Sequence, residues 1–213
     1  RLNDGVVGHR YLMGVVAPGG LRLEFDADGL RALAADLAPV EHELAGAVRS
    51  VIRSEGVMSR FRGTGFVPPE LARTLGATGV AARASGLAGD LRRDAPYGAY
   101  EELDVGSAAA STGDVAARFH VRAQEAHESI GLIARAIARL EPGPSRVPLA
   151  VQPEPGSTAL AAAEGPRGTS RVWLRAGAGG TVDRFHLRSA SFANWPVVVA
   201  AVPGDLVPDF PLI

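Results

Sequence analysis

Gly113-Asp114-Val115-Ala116-Ala117-Arg118-Phe119 opens the stretch whose reading decides the fold. From there to Leu140, apolar residues fall at Val115, Phe119, Ala126, Ile130, Ile133, Ile137 and Leu140, the three-four spacing of one helical face. Asp114 behind Gly113 is an N-cap, because a short carboxylate there can accept from the free N–H groups of the first turn. Pro142-Gly143-Pro144 stops the helix. The spacing predicts a core helix over 114–140, in which Ile133→Ala costs about 2–5 kcal/mol.

Upstream, Asp26 or Asp28 can cap a second helix with apolar residues at Leu30, Leu33, Leu37, Val40, Leu44, Val48 and Val51. Pro39 lies inside it and predicts a kink or a break. Residues 1–23 are glycine-punctuated, and Val15-Val16-Ala17 between Gly14 and Pro18-Gly19-Gly20 reads as irregular chain or a short strand. Pro68-Pro69-Glu70 starts a short helix that Gly76 ends. Downstream, residues 158–163, 170–176 and 181–188 read as strands, the last two joined across Gly177-Ala178-Gly179-Gly180. Ser191 is expected to begin a final helix that Pro203-Gly204 ends. The predicted fold class is mainly α (α+β), one domain over 1–213: helices carrying a small antiparallel sheet, with no internal repeat.

The chain has 213 residues, 46% apolar and 21% charged, with a net charge of −1. That balance suits a folded domain and gives no electrostatic reason to expect nucleic acid as a partner. All 22 non-histidine basic residues are arginine, which with the many Ala and Gly reflects a GC-rich coding sequence. The longest apolar run, Trp195 to Val202, contains Pro196 and is far shorter than the ~20 residues of a spanning helix. No signal-peptide pattern opens the chain, so membrane association is expected only through partners.

Cysteine is absent, so these residues form no disulfide, thiolate zinc site or iron–sulfur site. His120 and His127 lie seven apart on one helix, a poor spacing for one ion, and His9, His42 and His186 are isolated. No metal site is expected from histidine. Arg62-Gly63-Thr64-Gly65 and Gly76-Ala77-Thr78-Gly79 lack the nucleotide-loop frames and read as turns that let chains approach closely. Asp114, Arg118 and Arg122 step by four along the helix, with Glu125 one residue short of the next step. As an exposed stripe, such a row adds only ~0.2–0.5 kcal/mol per opposite pair.

The order of these punctuated residues carries a resemblance. Arg62-Gly63-Thr64-Gly65, Gly76, Gly79, Arg83-Ala84-Ser85-Gly86 and Asp90-Leu91-Arg92-Arg93 are followed by Pro96-Tyr97, Tyr100 and Gly113-Asp114. Arg118, Arg122 and Glu125 come next, then Glu164-Gly165-Pro166-Arg167-Gly168 and Ser191-Phe192-Ala193-Asn194. Over residues 50–213 this resembles the large subunit of membrane-bound (group 4) nickel–iron hydrogenases, formate hydrogenlyase among them, and its relative in NADH-quinone oxidoreductase (complex I). Gly165 stands where the family usually has Ala.

The resemblance implies a hydrogenase large-subunit-like helical domain, cut from a longer chain. In the family one Cys pair lies upstream of Arg1 and the other just downstream of Asp209-Phe210-Pro211-Leu212-Ile213. A nickel–iron centre is therefore expected only if those flanking pairs exist, and this segment binds no cofactor by itself. Arg167, Glu164 and Ser191 become the catalytic candidates: the arginine faces the open side of the metal centre, and Ser191 offers a hydroxyl near the iron. Arg83, Asp90, Arg92, Asp114, Arg118, Arg122 and Glu125 become a buried proton or charge network.

Implied partners are an iron–sulfur small subunit, which holds the cluster, and membrane-arm subunits, on the cytoplasmic face of the membrane. The complex would use hydrogen or protons, or NAD and quinone. The His and Tyr of a quinone headgroup site map upstream of Arg1, and the C-terminal residues fit the hydrogenase branch better. A catalytically silent scaffold that keeps the fold is the alternative.

Overall fold

The computed structural model describes residues 2–141, 143–148 and 152–213. Helix α1 (Leu2–Val7) precedes a hairpin of β1 (Val16–Ala17) and β2 (Gly20–Leu21). Helices α2 (Ala27–Arg53), α3 (Glu55–Phe61), α4 (Pro69–Thr74), α5 (Val80–Ala84), α6 (Leu91–Asp94) and α7 (Val115–Arg139) follow. A second sheet holds β3 (Thr158–Gly165), β4 (Gly168–Ala176) and β5 (Val182–Arg188), antiparallel in that order. Helix α8 (Ala190–Ala201) and a 3₁₀ segment, Val207–Leu212, end the chain. The mainly helical α+β class holds, with two small sheets among the described residues in place of one.

Asp114 caps α7 as its position dictates, accepting from Ala117 N–H at 2.8 Å and also from Gly63 N–H at 2.9 Å. The helix is covered from two sides. Ala117 and Val121 pack on Val80, Ala84 and Ala108, while Leu132 packs on Leu103 and Val105. The stripe read from the large apolar residues lies about 140° round the helix from Val121. Its Phe119 meets the Phe61 ring at 5.8 Å, but Ile133 is 41% exposed whereas Leu132 is 6% exposed. The expectation of a core Ile133 is thus corrected: small residues let α5 approach, and they leave no signal in a pattern of large ones. Leu132→Ala is expected to cost about 2–5 kcal/mol and Ile133→Ala markedly less, read from paired thermal melts.

Helix α2 runs without interruption through Pro39, against the expected break, and ends only at Ser54. The carbonyl four residues back belongs to exposed Ala35, where water can replace the lost donor. Asp26 caps this helix through Gly29 N–H at 2.7 Å. Helix α1 has no counterpart in the reading of residues 1–23, although Val16–Ala17 is a strand. That hairpin is fixed from afar: Leu21 N–H donates to Ser145 and Val147 N–H donates to Gly19, both at 2.9 Å. The short helix after Pro68 starts as predicted and stops before Gly76, whose φ is +68°. Pro142, read as a helix stop, lies outside the described residues; α7 ends at Arg139.

The three-stranded sheet is a meander whose first turn is the two-residue tip Pro166-Arg167 between the paired Gly165 and Gly168. Helix α8 is capped by Ser189, whose hydroxyl accepts from Phe192 N–H at 3.2 Å. Ser191 is therefore not the cap, as expected from sequence, but an exposed residue of the first turn. The C-terminal segment returns to the 60–67 loop, where Gly65 N–H donates to Asp205 at 2.8 Å and Arg60 pairs with Asp209.

Candidate functional site at the hairpin tip

The β3–β4 tip is locked in place before its side chains do anything. Gly79 begins α5 at φ +62°, and a Cβ there would stand 2.3 Å from Gly168 Cα and 2.5 Å from the Arg167 carbonyl oxygen. The glycine run 76–79 is thus a close chain approach, as read from sequence. Asn194 of α8 closes the other side: its amide donates to the carbonyls of Thr78 at 3.1 Å and Arg167 at 3.2 Å. Its side-chain oxygen accepts from Thr78 N–H at 2.9 Å, and Thr169 N–H donates to Thr78 Oγ1 at 3.0 Å.

Arg167 lines a cavity of about 220 Å³ together with Arg118 and Arg122 of α7 and Ser191, Asn194 and Trp195 of α8. The remaining wall is apolar, from residues such as Val67, Val80, Val197 and Ile213. Arg118 Nη1 donates to the carbonyls of Gly65 at 3.0 Å and Gly113 at 3.1 Å, while its Nη2 is buried without a partner among the described residues. Burial lowers its affinity for the proton below the usual guanidinium range; Asp114 and Asp205 oppose this and Arg122 reinforces it. The cavity is thus lined by three arginines, Ser191 and Asn194, with no acidic side chain among the lining residues. Arg118 is held in place, whereas Arg122, Arg167 and Ser191 are exposed at the rim. Guanidinium donors beside apolar walls suit a carbonyl-bearing or electron-rich group. They do not chelate a metal cation, and no cluster of three metal-binding side chains occurs among the described residues.

Glu164 stands on the other side of the tip. Its carboxylate accepts from Thr169 Oγ1–H at 2.6 Å and Arg83 Nη1–H at 3.1 Å. Arg83 also pairs with Glu125, lies 3.8 Å from Asp90 and donates to the Gly89 carbonyl at 2.8 Å. Asp90 in turn takes two bonds from Arg92, at 3.0 and 2.7 Å. Tyr97 hydroxyl accepts from Glu164 N–H at 2.9 Å. Five charged residues from α5, α6, α7 and β3 so form one buried network. A second cavity of about 630 Å³ touches it at Arg92, Glu125 and Glu164, and Arg122 lines both cavities.

The helical row read from sequence is divided by this arrangement. Asp114 is a buried cap, Arg118 and Arg122 face the first cavity, and Glu125 joins the network. The sequence marks Asn194, Thr78 and Tyr97 only through the family-like runs 191–194, 76–79 and Pro96-Tyr97, and it marks Thr169 not at all. His120 and His127 are exposed, and His127 Nδ1 lies 3.0 Å from Glu41.

Burial would weaken the acidity of Asp90 and Asp114. Hydrogen bonds and charge from Arg92 overcome this at Asp90, and N–H groups of Gly63 and Ala117 do so at Asp114. Both carboxyls thus titrate below the usual 3.8. Their contribution to stability is complete above that value and is lost as pH falls from it through the lower folded values. Denaturant midpoints are expected to hold near pH 6 and to drop by about pH 3, and less so in Asp114→Asn.

The site is thus a locked hairpin tip that brings Arg167 to an apolar cavity beside a buried ion network. Residues 1–154 match the family of the respiratory-chain NADH dehydrogenase 49 Kd subunit, and the chain belongs to that family. It is 32% identical over 211 residues to the carbon monoxide-induced hydrogenase of Rhodospirillum rubrum, covering 99% of this chain and 58% of that one. It is 35% identical over 195 residues to an NADH-quinone oxidoreductase subunit of Salinispora tropica, covering 90% and 50%. The chain thus spans about half the length of these curated relatives. A chain in the structure of the membrane-bound sulfane sulfur reductase, an archaeal respiratory membrane complex, superposes with a TM-score of 0.89 at 25% identity. That match covers 99% of this chain and 59% of the other, so the hairpin and α8, beyond the family match, share its fold.

Proposed function

We propose that this chain is part of the large subunit of a membrane-associated oxidoreductase complex, and that the Arg118–Arg122–Arg167 cavity is a wall of its reaction site. The complex would pass electrons between an iron–sulfur partner subunit and either hydrogen and protons or quinone. The observation that carries this reading is the convergence of three guanidinium groups, none opposed by a carboxylate in the lining, on an apolar cavity at a locked tip. Such groups stabilise charge that develops on a bound substrate without giving up their own protons. Ser191 supplies a neutral donor to the same space. The neighbouring network of Arg83, Asp90, Arg92, Glu125 and Glu164 would hold the hairpin base and carry charge coupling to partners.

The 213 residues contain no cysteine and supply none of the four thiolates of a nickel–iron centre. No helix among the described residues is long and apolar enough to cross a membrane, which supports peripheral attachment through membrane-arm subunits. The cytoplasmic face is the side proposed.

The test is nickel content and turnover of the full-length chain purified in its complex. About one nickel per chain with hydrogen turnover supports the hydrogenase branch. Quinone reduction without nickel supports the NADH-quinone oxidoreductase branch. A fully assembled complex in which disabling this cavity changes no redox activity would make the chain a scaffold and overturn the proposal.

A further inference from the structure

The outer strand β5 is unlike the rest of the molecule. All seven of its residues are exposed, and among the described residues β4 is the one element that packs substantially on it. Its sequence alternates: Arg184, His186 and Arg188 point to one face, Phe185 and Leu187 to the other. The register places Arg188 directly across from Arg171 and Arg184 directly across from Arg175. Like charges in such positions destabilise a sheet. Only Arg175 has an acidic partner among the described residues, Asp183. On the opposite face Phe185 is 61% and Leu187 52% exposed. One inward charge would be enough to protect a sheet edge from aggregation. Two facing guanidinium pairs beside exposed apolar side chains go well beyond that.

We propose that the free edge of β5 receives an extended acidic segment of another subunit. It adds as a fourth strand, with carboxylates beside Arg184 and Arg188 and apolar residues beside Phe185 and Leu187. Backbone pairing supplies the affinity, and the alternation of charge and apolar groups fixes register and partner. The cations relieve their mutual repulsion in the bound state, so assembly at this edge weakens as salt rises. No residue of β5 lines the cavity, and the proposal goes beyond the functional reading above.

The test uses the full-length chain in its native complex, with the photo-reactive residue p-benzoylphenylalanine replacing Phe185. Irradiation is expected to join it to a segment of another subunit in which Asp or Glu alternates with apolar residues. In the Arg184→Glu/Arg188→Glu variant that product should fall at least about tenfold, and amide exchange across β5 should speed up at least about tenfold. The melting midpoint of the variant chain should not fall, because both sites are exposed and charge reversal removes the like-charge pairs with Arg171 and Arg175. Cross-links to lipid, to another part or a second copy of this chain, or to a segment without acidic residues would overturn the proposal. So would a yield insensitive to charge reversal, or a cross-link without amide protection. Redox turnover at the cavity is assayed separately, so failure of one reading leaves the other standing.

Discussion

Arg83→Met in the full-length chain is expected to destabilise the fold by about 3–5 kcal/mol, read from denaturant unfolding. Arg83 is 1% exposed and is the cation common to Glu125, Glu164 and Asp90. Burial alone would make it less basic, but the hydrogen bond and charge of Glu125, then Glu164 and Asp90, raise it above the ordinary guanidinium range. Methionine matches much of its length and removes the charge. Asp90 would keep Arg92, whereas the Glu164 carboxylate, itself deeply buried, would retain only Thr169. The cost comes mainly from the stranded carboxylate rather than from the worth of the pair. Adding Glu164→Gln to Arg83→Met should therefore recover part of the loss, a coupling that a double-mutant cycle measures directly. A loss below about 1 kcal/mol for the single variant would mean that the network is not buried as described.

Gly79→Ala is expected to cost about 2–5 kcal/mol, through backbone strain and through collision with the opposing chain. Its φ of +62° with ψ of −138° belongs to a region that side-chain-bearing residues rarely occupy. The neighbours that a methyl would meet are backbone atoms of Arg167 and Gly168, which cannot rotate away. The hairpin tip must move, and with it the carbonyl that Asn194 holds. Gly76→Ala is the control: it also has positive φ, but nothing lies within 4 Å of its added Cβ. Thermal melts of the two variants should differ clearly, and equal losses would remove the collision from the account.

Local devices were readable in the chain and distant ones were not. The Asp114 cap, the Pro69 helix start and the strands around the glycine loop depend on neighbours within a few residues, and the sequence patterns for them hold. The close approach at Gly79 was legible as a glycine run, but its partner was not, since Gly168 comes from another hairpin. The Asn194 clamp joins residues 116 apart and has no local signature. The resemblance groups Arg83 with Asp90, Arg92 and Glu125, but nothing local shows that Glu164, 81 residues on, joins them. Ile133 misled because a stripe of large apolar residues marks one side of α7, while Ala117 and Val121 mark the side packed on α5. The cavity itself was named only in part: the family-like motif pointed to Arg167 and Ser191, whereas Arg118 and Arg122 were assigned to a charge row.

The most direct measurement is steady-state turnover of the assembled complex carrying Arg167→Lys, at subunit content and melting midpoint equal to wild type. Lysine keeps the positive charge but loses the planar fork of donors. If the cavity is the reaction site, turnover falls by about 10²–10³-fold while assembly stays intact. Wild-type turnover in a correctly assembled Arg167→Lys complex would contradict the assignment.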